Sequence, residues 1–223
     1  MSKLDSVILR GTVAAQPVAT AVATGALYFQ TDTGLIQRSN GTTWDSYSAL
    51  AAGALALIEQ HTASVSATLD FTTGITTTYD DYLVELLSLI PATNGAALNL
   101  QVSIDGGATW LTTGYRYALI FNSDAGASPA TYSSAGAVVF NLGGPIDSSR
   151  EGISGSMRLY NPRATIGKHF RHEAGWAHTD TNRYGWSGSI WQTTTSAVNA
   201  LRFKMDSGNI TSGVIRLYGI AKS

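Results

Sequence analysis

Between Gly25 and Trp44 the chain alternates short apolar stretches with turn-forming clusters: Ala26-Leu27-Tyr28-Phe29, Asp32-Thr33-Gly34, Leu35-Ile36, Ser39-Asn40-Gly41, then Trp44. This spacing predicts a three-strand meander over 25–47, because Gly34 and the Asn40-Gly41 pair tolerate positive φ where the two turns need it. So short a meander buries too little surface to be stable alone and must dock on something. Residues 1–24 carry small side chains without dense apolar periodicity, which predicts an extended N-terminal arm or tail. Residues 48–57 are Ala-rich with one glycine and read as a linker or short helix.

From residue 58 to 223 no long helical period occurs. Short runs separated by Gly, Asn, Asp, Ser and Pro clusters have the spacing of a sandwich or jelly roll. The expected fold class is therefore all-β, a small N-terminal β-meander plus a C-terminal antiparallel, jelly-roll-like β-sandwich. Residues Tyr82 to Ile90 form a mostly apolar run, which predicts a strand buried on both faces. Residues Leu98 to Ile104 alternate strictly, which predicts one wet face before the Asp105-Gly106-Gly107 turn and Trp110. Gly155-Ser156-Met157-Arg158-Leu159-Tyr160 echoes Gly213-Val214-Ile215-Arg216-Leu217-Tyr218. The echo predicts two related strands with Leu159 and Leu217 in the core, and with Arg158 and Arg216 facing solvent or a neighbouring subunit.

Composition sharpens this picture. Only 13% of the 223 residues are charged and 23 are glycine, a low-charge balance that suits close subunit packing. Without cysteine there is no disulfide framework or thiol nucleophile. The longest apolar run, Ala49 to Ile58, is far below the about 20 residues that span a bilayer, so no membrane insertion is expected. The start, Met1 to Gly11, holds no apolar core of signal-peptide length, and Sec export is not expected either. Charge is uneven: residues 1–149 hold 4 basic and 11 acidic side chains, residues 150–223 hold 10 and 4. The reading preferred over a nucleic-acid face is that the two regions meet, within one subunit or across a boundary.

Chemistry is sparse. No Gly-x-Ser-x-Gly elbow occurs, and Gly143-Gly144-Pro145 lacks the Lys and Ser/Thr of a phosphate loop. Glu59, Glu85, Glu151 and Glu173 could supply a carboxylate pair after folding, as in any such protein. No catalytic residue is assigned and no enzyme is expected. His169, His172, Glu173 and His178 are the tempting metal set, but on a strand His169 and His172 point to opposite faces, so neither metal nor cofactor is expected. Asp105 and Asp124 read as turn formers. Trp176, Tyr184, Trp186 and Trp191 interleave with His178, Asp180, Asn182 and Arg183. If exposed, these would suit a glycan; Trp186 and Trp191 are expected in the core, and Asp180 to Tyr184 stay open.

Residues 24–44, with Gly25-Ala26-Leu27-Tyr28, Asp32-Thr33-Gly34 and Asn40-Gly41-Thr42-Thr43-Trp44, resemble the small hairpin module of tailed-bacteriophage fibre and other virion proteins. The later part, from Ile58-Glu59-Gln60 through Tyr79-Asp80-Asp81-Tyr82 and Ser103-Ile104-Asp105-Gly106-Gly107 to Arg216-Leu217-Tyr218-Gly219-Ile220, is similar to a β-sandwich domain of phage virion proteins. The resemblance implies a non-enzymatic virion structural protein, a homotrimer on the surface of the particle that contacts other tail or capsid proteins through its arm. Leu4, Val7, Leu9 and Val13 are then the candidate attachment residues. A tail-fibre or receptor-binding accessory would meet a host surface glycan through Asp180, Asn182, Arg183 and Tyr184. The alternative is a head decoration protein cementing the capsid, and an envelope-glycan-degrading enzyme has least support.

Overall fold

The computed structural model describes residues 8–46, 55–126 and 130–221. They divide into two units, one ending at Ala54 and one beginning at Leu55.

In the first unit β1 (Leu9–Gly11), β2 (Leu27–Gln30), β3 (Ile36–Ser39) and β4 (Trp44–Ser46) form one sheet in that order. The expected meander is β2-β3-β4. Its turns close on Gly34 and Gly41, both at positive φ, and the Asn40 side-chain oxygen accepts from the Thr42 and Thr43 amides at 2.9 and 2.8 Å. The arm departs from expectation: β1 runs parallel to β2, and residues 12–19 lace onto the meander. Tyr28 Oη donates to the Thr12 carbonyl at 3.0 Å, Trp44 Nε1 to the Pro17 carbonyl at 2.7 Å, and Ser39 Oγ to the Ala19 carbonyl at 3.0 Å. The surface that the meander needs to cover its rings is thus supplied by its own arm, and residue 24 is no boundary.

The second unit contains β5 (Leu55–Thr62), β6 (Leu69–Phe71), β7 (Asp81–Pro91), β8 (Leu98–Ser103), β9 (Tyr115–Ser123) and β10 (Ala130–Ala137). It continues with β11 (Phe140–Gly143), β12 (Ile153–Tyr160), β13 (Lys168–Ala177), β14 (Arg183–Gln192), β15 (Ala200–Met205) and β16 (Ile210–Ile220). Eight strands make one antiparallel sheet in the order β10-β9-β14-β13-β12-β7-β16-β5, and four make another, β11-β8-β15-β6. Of the expected linker, 48–54 lies outside the described residues, while Leu55 to Leu57 already pair with β16 and belong to the sandwich.

The core lies between the sheets. One register row crosses the large sheet as Tyr132, Leu119, Gly188, His172, Met157, Val84 and Leu217. Leu98, Leu100, Val102, Leu201, Phe203 and Phe71 face it from the small sheet, all fully buried. The echoed strands β12 and β16 flank β7 on its two sides, with Leu159 and Leu217 buried as expected. Arg158 and Arg216 point outward to Asp81 and Glu85.

Two strand expectations are reversed. β7 alternates from Asp81 to Leu87, with Tyr82, Val84 and Leu86 buried and Leu83, Glu85 and Leu87 only half-covered, and shifts parity at the exposed Ser88, which has φ +48°, so that Leu89 and Pro91 are buried next. β8 is buried on both faces, Asn99 and Gln101 included. The connection after it folds back as a roof: Gln101 Nε2 reaches the Leu111 carbonyl at 3.4 Å, and the Trp110 ring lies 4.3 Å from the Arg202 guanidinium carbon. The charge asymmetry closes within this unit, since Arg150, Arg158, Arg202 and Arg216 pair with Asp147, Asp81, Asp70 and Glu85.

Candidate functional site

Rings separated by an even number of residues on one strand share a face. Trp176 on β13 and Tyr184 and Trp186 on β14 therefore all look inward, and Tyr184 sits directly opposite Trp176 in the ladder. Phe121 on β9 pairs with Trp186, and Tyr132 on β10 pairs with Leu119, which carries the same face onward. The small sheet is half as wide as the large one, and its edge strand β11 lies over β13 and β9. Inner-face rings toward β10 consequently project past the small sheet, and Tyr132 is 41% exposed.

Between this overhang and β11 lies a cavity of about 400 Å³, lined by Phe121, Tyr132, Trp176, His178, Tyr184 and Trp186, with Asn141 and Gly144 on the small-sheet side. Trp176 and Trp186 meet edge to face at 5.2 Å, and Tyr184 stacks on Trp176 at 5.9 Å and on Phe121 at 6.4 Å. Trp176 is 3% exposed and its Nε1 has no hydrogen-bond partner among the described residues. A buried donor left in that state costs about 1–3 kcal/mol relative to a satisfied one.

The turn between β13 and β14 forms the rim. The Tyr184 hydroxyl donates to Asp180 Oδ2 at 2.9 Å, the Asn182 amide donates to Asp180 Oδ1 at 3.0 Å, and His178 Nδ1 lies 2.9 Å from Asp180 Oδ1. Burial pushes the Asp180 carboxyl up, but the hydrogen bonds from Asn182 and Tyr184 outweigh it and hold the group below its ordinary range. The same bond to Asp180, aided by burial, raises the Tyr184 phenol. Arg183 turns away to Glu151, with both Nε and Nη2 at 2.8 Å from Oε1. Of the four predicted glycan contacts, Asp180, Asn182 and Tyr184 are thus brought together at one rim, and Arg183 is spent on an ion pair beside it.

Trp186 is in the core as expected, but Trp191 is not: it faces outward, 38% exposed, in a stack with His169 and Tyr160 at 5.7 and 5.2 Å. Five residues separate Trp186 from Trp191, so on a regular strand they cannot share a face. The larger, shallower groove beside Trp191, about 730 Å³, is floored by Gly155, Gly175, Gly185 and Gly188 and offers few ring faces. His169 and His172 face opposite ways as expected. His172 is fully buried and its Nε2 lies 2.9 Å from the Leu142 carbonyl, and among the described residues no three His, Asp or Glu side chains gather to hold a metal.

Phe121, Tyr132 and Asn141 were not anticipated. They come from the consecutive strands β9, β10 and β11, all well before the β13–β14 turn, and only Tyr132 carried a signal, as a lone ring in a strand otherwise of Ala, Thr, Ser and Gly. Of the candidate attachment residues, Leu4 and Val7 lie outside the described residues, Leu9 is half-buried in β1 and Val13 is exposed. No protein-family model, curated protein or solved structure matches the chain.

Proposed function

We propose that the chain is a non-enzymatic structural protein of a tailed-bacteriophage particle, a trimeric surface accessory of tail-fibre or receptor-binding type. Its N-terminal unit attaches to the particle, and its sandwich presents the β13–β14 rim to a glycan of the host surface. The observation that carries the adhesive part is the convergence of Asp180, Asn182 and Tyr184 beside a ring-lined cavity, since aromatic faces flanked by fixed hydrogen-bonding groups suit sugars. The attachment part is supported by the hairpin-module resemblance of residues 24–44 and by Ile8, Val13, Val18 and Ile36, which the N-terminal unit leaves exposed.

Cryo-electron microscopy or immuno-gold localisation on intact particles, with copy number counted against the major capsid protein, tests this reading. A few tens of copies or fewer at the tail or baseplate are expected. Hundreds of copies over the head would make the chain a decoration protein, and absence from purified particles would remove it from the virion altogether.

A further inference from the structure

We infer that the cavity under the overhang is a subsite for one uncharged hexopyranose ring, in which the Trp176 indole N–H donates to a sugar hydroxyl. This rests on the adhesive reading above and names its ligand class.

Three observations converge. The cavity, about 400 Å³, falls in the range of small-molecule sites and is small among them. Its wall is made of Phe121, Tyr132, Trp176, Tyr184 and Trp186 with His178, Asn141 and Gly144, and among the described residues no Lys, Arg, Asp or Glu side chain lines it. Such a wall favours the C–H face of a neutral ring and gives a carboxylated or phosphorylated sugar no permanent counter-charge, the one titratable imidazole, His178, lying against Asp180. Finally, Trp176 Nε1 is a buried donor without an acceptor among the described residues, on a residue that lines the cavity. Nε1 is closed to solvent in the free protein, so a hydroxyl accepts there only as the surrounding rings yield, and the bond then relieves a penalty already present without breaking another hydrogen bond. The rim supports the ring from the side: Tyr184 is fixed by Asp180, so little side-chain freedom is lost on binding. Individual sites of this kind are weak, and a trimer presenting three would gain through avidity.

The test uses the full-length ¹⁵N-labelled chain and methyl glycosides of glucose, galactose and N-acetylglucosamine, with sialic acid as the charged control. The Trp176 indole resonance is assigned as the one absent from Trp176→Phe. A saturable shift of that resonance with at least one neutral glycoside and none with sialic acid is expected, with Trp176→Phe weakening binding about five- to tenfold, as loss of one hydrogen bond would. Tyr132→Ala, at the open edge of the cavity, should weaken binding while leaving the amide spectrum dispersed, which covers the case in which Trp176→Phe fails to fold. A capped monosaccharide that binds as well as an oligosaccharide ending in the same residue would assign the site to the terminal sugar alone. An indole that stays fixed with every glycoside overturns the subsite. If the amides of 180–184 shift while the indole does not, the rim contacts glycan and the cavity does not, so the adhesive reading survives without this inference.

Discussion

Arg202 grips Asp70 as a fork, Nε to Oδ1 at 2.9 Å and Nη2 to Oδ2 at 2.6 Å, directly across the β6–β15 ladder. Trp110 covers the guanidinium from above, so the pair is two-pronged and partly shielded, unlike an ordinary surface ion pair. Arg202→Ala and Asp70→Ala should each lower stability by about 1–3 kcal/mol, with a coupling near 1 kcal/mol in a double-mutant cycle read by urea unfolding. Arg202→Lys should recover only part, because an ammonium cannot fork. A coupling of zero would assign the effect to the Trp110 contact instead.

Tyr115 ties the roof to the small sheet. Its hydroxyl donates to the Leu111 carbonyl and accepts from the Val102 amide, both at 2.9 Å. Tyr115→Phe should therefore cost about 1–3 kcal/mol, since it takes the partner of the Val102 amide and leaves the Leu111 carbonyl only the longer bond from Gln101 Nε2. Burial pushes the phenol up to about 12. Below about pH 10 it is neutral in both folded and unfolded chains; above that the unfolded chain ionises first, so stability should fall as pH rises from 10 toward 12. Thermal melts of wild type and Tyr115→Phe across that window should differ in slope.

His172 acts at the opposite end of the pH scale. Burial holds its imidazole below the ordinary value, offset in part by the bond to the Leu142 carbonyl. Above about pH 6.5 it is neutral folded or unfolded; below, the unfolded chain takes a proton that the folded one refuses. The urea midpoint should accordingly drop as pH falls below about 6.5, and His172→Gln should flatten that slope. An unchanged slope in the variant would place the acid sensitivity elsewhere.

Gly155 on β12 leaves no room for a side chain against β13. A Cβ there would sit 2.2 Å from the Glu173 carbonyl oxygen and 2.6 Å from the Ala174 Cα, and backbone cannot yield as a side chain can. Gly155→Ala should destabilise by about 1–3 kcal/mol or more through forced strand separation. Gly136→Ala, which would meet nothing within 4 Å, is the control and should leave the melt unchanged.

In the N-terminal unit, Trp44→Phe removes the 2.7 Å bond to the Pro17 carbonyl while keeping a ring beside Tyr28, now 5.7 Å away. Amide exchange across residues 13–21 should quicken severalfold, with the second unit unaffected. Unchanged protection would mean that β1 and the bonds from Tyr28 and Ser39 hold the segment without Trp44.

What could be read from the sequence was what is local. Gly34 and Gly41 announce their turns because φ is a property of one residue, and Leu159 against Arg158 announces a face because strand parity is fixed. The burial of Asn99 and Gln101 was not legible, because it is made by Trp110 and Leu111 folding back from beyond the next turn, and alternation describes one strand rather than what lies on it. The placement of Trp191 was legible and was misjudged: an odd separation from Trp186 forbids a shared face. For the candidate site, Asp180, Asn182 and Tyr184 lay within one turn and could be picked out together. Phe121 and Tyr132 reach the same cavity through the register of the large sheet, and Asn141 through the packing of the small sheet over it, neither of which a short window contains.

The unequal widths of the two sheets separate two kinds of inheritance in this fold. Residues between the sheets, such as Val84, Met157 and Phe203, are fully enclosed and can change only in concert. Tyr132, Phe121 and Asn141 stand at the margin, where one side chain can be exchanged without disturbing the packing that closes the core. A lineage could therefore retune what the overhang accepts many times over while the rest of the sandwich drifts slowly, and variation among descendants of this chain should concentrate on β10, the far end of β9 and the start of β11.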